Sequence, residues 1–194
     1  VTSNRRTGRK MAAIVPVHVF GQPVDHAALD RVAQEFALPV LTDATESLGS
    51  TWRGKPAGSL GLMSVLSFNG NKIVTTGGGG AILTDDEQLA RTVRHVSTTA
   101  KVPHRWAFVH DRPAFNYRLP NLNAAVGCAQ LERLDQFVAE KRQLAETYRQ
   151  CLSGVVGLEV MQEAPDTQSN YWQVAVKLAR ELAGYRDELL GSLH

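Results

Sequence analysis

The sequence predicts an α/β fold, with a mainly parallel sheet flanked by helices on both faces. Two observations carry that expectation. Strand-like and helix-like segments alternate from residue 12 to about residue 96, the rhythm of β-α-β units. The strand-like runs "AAIVPVHVF", "LPVLTD" and "SVLSF" are apolar nearly throughout instead of alternating, which suits strands buried on both faces. At 194 residues and 43% hydrophobic content, the chain is long and apolar enough to bury a core.

The elements are expected in this order. "AAIVPVHVF" forms a strand, and "GQPVD" turns into a helix over "HAALDRVAQEFA". Asp25 stands at its N-cap, where a carboxylate accepts from otherwise orphaned N–H groups, and Ala28, Val32 and Phe36 recur along one face. "LPVLTD" is a strand ending on Asp43; after the Gly/Pro-rich "WRGKPAGSLG" come the strand "SVLSF", a glycine-rich loop, the strand "AILTD" and a helix from about Asp86 to Val96. Residues 97–118 read as irregular. One long helix is then predicted from Leu122 to Leu152, with Val126, Ala129, Leu134, Phe137, Val138, Leu144 and Tyr148 recurring near the helical period. "GLEVMQ" and "NYWQVAVKL" read as strands, and "ELAGYRDELLGSL" as a closing helix.

Charge narrows the function. Lys and Arg number 21 against 19 Asp and Glu, a net +2 with no long basic run, so no nucleic-acid partner is expected. The longest apolar stretch, "MAAIVPVHVF", is too short to span a bilayer, so no membrane partner is expected either. "VTSNRRTGRK" lacks the apolar core of a signal peptide. Cys128 and Cys151 fall in the one predicted helix, roughly 35 Å apart along its axis, too far to bridge. Reduced thiols and a cytoplasmic location are the expectation.

The glycine-rich loop, "SFNGNKIVTTGGGG" over residues 67–80, holds a lone lysine beside bare backbone. A phosphate-cradling P-loop places its lysine after the glycines, whereas Lys72 precedes them. A dinucleotide fingerprint needs a third glycine where Ile82 stands. A plain tight turn remains open, since glycine clusters often mark nothing more. So does a carbonyl-reactive lysine. Such an amine must lose its proton, favoured by burial or positive neighbours, and no carboxylate lies between residues 62 and 84. Pyridoxal phosphate also needs an acid for its pyridine nitrogen and donors for its phosphate. Asp43 and Ser67 end two apolar strands, and open α/β sheets bind ligands outside the carboxyl ends of their strands.

"TDATESLGS", "SFNGNKIVTTGGGGAILTDD" and "NYRLPNLNAAVGCAQLERLD", in that order and spacing, closely resemble the DegT/DnrJ/EryC1/StrS family of sugar aminotransferases. "VPVHVFGQPVD" resembles that family's strand and turn before the Asp segment. The resemblance implies an aspartate-aminotransferase-like fold (a fold type I pyridoxal-phosphate enzyme). It implies transfer of an amino group, from glutamate, to a keto group of a nucleotide-linked sugar in cell-surface glycan or related biosynthesis. On this reading residues 1–153 are the C-terminal part of the large cofactor-binding domain and residues 154–194 begin a small C-terminal α+β domain. The family's chain is about twice this length, so the sequence reads as a fragment.

The resemblance also assigns roles. Lys72 matches the lysine that joins the cofactor covalently and then shuttles a proton. Asp43 matches the carboxylate that keeps the pyridine nitrogen protonated, and Ser67 a phosphate ligand. Glu46 falls where the family commonly has Gln or His near the cofactor's 3-hydroxyl. Asn116 matches an asparagine that reaches the phosphate of the cofactor in the neighbouring subunit, which implies a homodimer with shared sites. Two alternatives stand beside this reading. One is a sugar dehydratase of the same fold, in which histidine replaces the lysine, so Lys72 argues against it. The other is a non-catalytic fragment or fold-only homologue. His18 is read as a buried histidine, Arg118 as an interface residue, and Trp52, Trp106 and Trp172 as packing residues.

Overall fold

The computed structural model describes residues 3–193. Its strands are β1 (Leu41–Asp43), β2 (Thr51–Trp52), β3 (Lys55–Pro56), β4 (Met63–Ser67), β5 (Gly80–Leu83), β6 (Leu158–Val160), β7 (Thr167–Gln168) and β8 (Val176–Leu178). Its helices are α1 (His26–Glu35), α2 (Glu87–Ser97), α3 (Asn121–Leu131), α4 (Leu134–Leu152) and α5 (Arg186–Leu193).

The central sheet runs β1-β4-β5. β1 and β4 are parallel, with Asp43 opposite Val65, while β5 runs antiparallel to β4, with Gly80 opposite Ser67. The predicted first strand adds only isolated parallel bridges, Ile14 to Val40 and Val17 to Asp43. Pro16 interrupts that run and has no N–H to donate to a ladder. Its carbonyl still accepts from Asp43 N at 2.9 Å, and His18 N donates to Asp43 O at 3.0 Å. Asp43 is therefore held on both sides, by the 14–18 segment and by β4.

Helix α1 starts where the sequence places it, with Asp25 Oδ1 accepting from Ala28 N at 3.1 Å. Its inner face differs from the expectation: His26 and Ala33 are buried, while Val32 and Phe36 stay exposed. α2 begins with Asp86 capping Gln88 N and Leu89 N. The single long helix expected over 122–152 is two helices. Arg133, at φ −109° and ψ 8°, leaves the helical region between α3 and α4. The two segments follow different partners. α3 braces the glycine-rich loop, Asn123 Nδ2 donating to Thr76 O and Gln130 Oε1 accepting from Thr75 N at 3.2 Å. α4 packs on β6, and its Val138 and Leu134 close over Gly49. The cysteines are accordingly split between α3 and α4, both free and exposed.

The Gly/Pro-rich excursion forms the β2–β3 hairpin, and β7 adds to its free edge by pairing Thr51 with Gln168 and Trp52 with Thr167. β6 and β8, which fall within the two predicted late strands, pair antiparallel. Residues 170–175, expected as the start of the last strand, are instead irregular chain outside it, with a bend at 172–173. The closing helix splits into a 3-10 turn, Arg180–Tyr185, followed by α5.

Candidate active site

β1 and β4 end side by side at the carboxyl edge of their parallel pair, and the residues that follow build the site. After Asp43 the chain turns sharply: Thr45 N and Thr45 Oγ1 both donate to Asp43 Oδ1, at 3.1 and 2.7 Å. That fixes the carboxylate through one oxygen and leaves Oδ2 with no protein partner among the described residues. Ser67 ends β4, and its Oγ accepts from Asn69 N at 3.3 Å; its own hydroxyl proton is left to donate.

The 68–79 loop then returns to the sheet. Phe68 N donates to Gly79 O and Phe68 O accepts from Thr76 N, each at 3.0 Å, closing the loop at its base. Lys72 N donates to Asn69 O at 3.0 Å, a tight turn at the lysine itself. The last glycine has a steric reason. A Cβ on Gly80 would overlap the Leu66 carbonyl, so β5 pairs this closely with β4 only without a side chain there.

Lys72 is mostly buried, its side chain 13% exposed. Its Nζ lies 3.7 Å from Glu46 Oε1 and 3.9 Å from the centre of the Trp172 ring. The local sequence offers no carboxylate, but the turn after β1 delivers one from 26 positions upstream. Glu46 is itself anchored, its Oε2 accepting from Phe20 N at 2.7 Å. Trp172 is read from the sequence as a packing residue. It is buried, and it also meets the lysine directly, with its Nε1 donating to Asn71 O at 2.7 Å. No short-range signal marks either contact, because both partners are remote in the chain.

Beneath lies a buried polar seam. Asn170 donates from Nδ2 to Glu46 O at 2.8 Å and to Leu48 O at 2.9 Å, while its Oδ1 accepts from Trp172 N at 2.8 Å. Ser50 Oγ and Ser169 Oγ both donate to Gly21 O. Ser50, Ser169 and Asn170 are essentially inaccessible, and their donors find partners, as buried polar groups must. His18, fully buried, has its pKa lowered to about 4, first by burial and then by His26 nearby. It is a buried neutral ring, 5.3 Å edge-on from His26. A cavity of about 340 Å³ adjoins the lysine, lined by Lys72, Trp172, Gln130, Phe137 and Lys141 among others. Asp43 and Ser67 do not line it.

Asn116 is placed apart from this cluster in its own chain. It is exposed, bridged to Thr98 in the irregular segment before α3.

The chain matches the DegT/DnrJ/EryC1/StrS aminotransferase family over residues 2–194. It belongs to that family. Among curated DegT/DnrJ/EryC1/StrS relatives, it is 38% identical over 182 residues to a GDP-perosamine synthase of Caulobacter vibrioides, a match covering 93% of this chain and 49% of that protein. Among solved structures it resembles the aminotransferase TlmJ from Streptoalloteichus hindustanus, with TM-score 0.87 and 28% identity, covering 96% of this chain and 51% of that one. It also shares the fold of Helicobacter pylori PseC, an aminotransferase involved in the biosynthesis of pseudoaminic acid, with TM-score 0.90 and 23% identity over 95% of this chain and 50% of that one. The chain spans about half the length of the curated relatives it matches. The aspartate-aminotransferase-like α/β architecture read from the sequence stands, with the antiparallel β5 as its local departure.

Pyridoxal phosphate is the cofactor of this family. The donor set here fits that group: an amine on a braced turn, a carboxylate with one oxygen fixed and one free, and a hydroxyl with a proton to give. All three follow the carboxyl ends of β1 and β4, where open α/β sheets place ligands.

Proposed function

We propose that the whole protein is a pyridoxal-phosphate-dependent aminotransferase that transfers an amino group, with glutamate as donor, to a keto group of a nucleotide-linked sugar. The observation that carries this reading is Lys72, a buried amine on a braced turn at the carboxyl edge of the β1–β4 pair, within family motifs that match along the chain. Glycan or related sugar biosynthesis is the setting of the same proposal, supported by the likeness to a GDP-perosamine synthase.

Bound here, the cofactor supplies a carbonyl that condenses with amines and a ring that withdraws electrons from the reacting carbon. This chain's residues divide the remaining work. Lys72 Nζ would be the amine that joins the cofactor's carbonyl and, when free, the group that would move a proton at the substrate carbon. Asp43 Oδ2 holds the proton on the pyridine nitrogen, while Thr45 keeps the carboxylate aimed. Ser67 Oγ donates to the phosphate. Glu46, on the turn after β1, sits between the Phe20 amide and the lysine.

A homodimer with shared sites belongs to the same proposal. In the irregular segment that carries Asn116, Trp106, Phe108, Phe115 and Tyr117 are 74%, 80%, 53% and 73% exposed, aromatic surface suited to burial against a second copy. Arg118 beside it has no ion-pair partner among the described residues. A cytoplasmic location completes the reading; no helix among the described residues is long and apolar enough to cross a membrane.

The test uses the full-length protein with its cofactor. Borohydride reduction followed by peptide mapping is expected to place a pyridoxyl group on Lys72, and Lys72→Ala to abolish turnover of nucleotide keto sugars followed by mass spectrometry. A label on Lys55 or Lys101 instead would overturn the assignment.

A further inference from the structure

We propose that Trp172 is a positioning residue that parks the Lys72 ammonium between its indole face and the Glu46 carboxylate. The inference rests on reading Lys72 as the carbonyl-reactive lysine. Its geometry stands independently: ring centroid 3.9 Å from Nζ on one side, Glu46 Oε1 3.7 Å away on the other. Trp172 also grips the backbone before the lysine, with Nε1 donating to Asn71 O at 2.7 Å. The ring holds the charge, and its N–H holds the turn that carries the charge.

The segment around Trp172 is built for this placement. Asn170 ties the Trp172 amide to the carbonyls of Glu46 and Leu48. One three-residue stretch therefore fixes both neighbours of Lys72, the Glu46 turn and the Asn71 peptide. Between them Tyr171 is held at φ 45°, a left-handed conformation that a bulky side chain adopts only under constraint. Its ring is buried, with Arg142 and Arg149 at 5.6 and 5.5 Å from its centre. A buried indole N–H takes a partner wherever it lies; here that partner is the peptide next to the lysine, while the ring face meets Nζ. A carbonyl compound reaches the amine only after Nζ leaves the ring face and gives up its proton.

The test is limited reductive methylation of the full-length, ligand-free protein with formaldehyde and cyanoborohydride. Formaldehyde condenses with a neutral amine, losing water, and hydride from the reagent reduces the resulting C=N bond. Mass spectrometry reads the labelling of Lys72 relative to exposed Lys55. Loss of a desolvated cation–π contact in Trp172→Leu is expected to raise that ratio about threefold to tenfold. Trp172→Phe, which keeps an aromatic face, should stay within about twofold of wild type. An unchanged ratio in a folded Trp172→Leu protein overturns the proposal.

Should Trp172→Leu fail to fold by circular dichroism, Lys72→Met decides in the full-length protein with every tryptophan except Trp172 replaced by Phe. Removing an ammonium from the indole face relieves proton-transfer quenching, so Trp172 emission is expected to rise; unchanged emission overturns the proposal. Neither readout involves the cofactor. A failure here is therefore distinct from a failure of pyridoxyl mapping to find Lys72.

Discussion

Gly21 and Asn170 fit against one another so closely that a methyl carbon on Gly21 would overlap Asn170 Oδ1. Gly21 also holds φ 85°, a left-handed backbone that disfavours a side chain. Its carbonyl is the shared acceptor for Ser50 and Ser169. Two parts of the chain 149 positions apart thus meet with no room for one carbon. Gly21→Ala is expected to destabilise the full-length protein by about 2–4 kcal/mol, through strain and displacement of a buried hydrogen-bonded amide. Chemical denaturation checks this, and a midpoint equal to wild type would mean the fit is looser than described.

Asp43 offers a cleaner separation of folding from chemistry. Asp43→Asn keeps an Oδ1 to accept from Thr45 but loses the charge proposed to hold a pyridinium proton. Denaturation should shift by less than about 1 kcal/mol, a typical scale for one neutral hydrogen bond. Turnover should fall at least tenfold, because a charge-assisted bond of about 1.5–3 kcal/mol is lost where charge develops. Near wild-type turnover would point to another carboxylate.

Acid should weaken the fold through its buried histidines. Burial lowers the His18 pKa from 6.5 to about 4, and burial lowers that of His26 as well. A depressed histidine pKa means the unfolded chain binds more protons between the two values. Stability from His18 is therefore complete above pH 6.5 and is lost as pH falls towards 4, with a loss of about 2–3 kcal/mol for that residue. Urea titrations from pH 7 to pH 4 check it. His26→Phe should flatten part of the slope while keeping a ring against Trp52, 5.7 Å away.

The shared-site proposal makes a complementation prediction. If Asn116 serves the opposite subunit, a mixed dimer of Lys72→Ala and Asn116→Ala chains gathers both lesions in one site and leaves the other intact. Each variant alone is expected to be inactive. Dissociated and remixed full-length chains should recover activity approaching half of wild type per mixed dimer. Verified mixed dimers without recovery would assign Asn116 to its own subunit.

Much of the site was legible because it lies in one local unit. Asp43 and Ser67 end apolar strands that pair in parallel, and Lys72 sits on the turn between β4 and β5, all within a span that periodicity and turn residues describe. Glu46 was visible as a residue of interest, but its contact with Lys72 was not, since it depends on how two loops fold back together. Trp172 was harder still, because nothing beside it in the sequence marks it as more than a packing residue. The break between α3 and α4 also left no trace. "QLERLDQ" contains no Gly or Pro to break a helix, and the two segments follow different docking surfaces. Val32 and Phe36 on α1 differ for a related reason: the helical period identifies an apolar stripe, while His26 and Ala33 are the residues that the fold buries.

The hydrogen bond between Trp172 and Asn71 joins positions 101 residues apart. On a ribosome adding about 5–20 residues per second, the lysine turn is made some 5–20 s before the ring that covers it. Through that interval the nascent chain carries an amine without its aromatic neighbour, and the Glu46 turn without the Asn170 brace. The order of synthesis makes the bend around Trp172 the last part of this arrangement to form, closing over a side chain already in place.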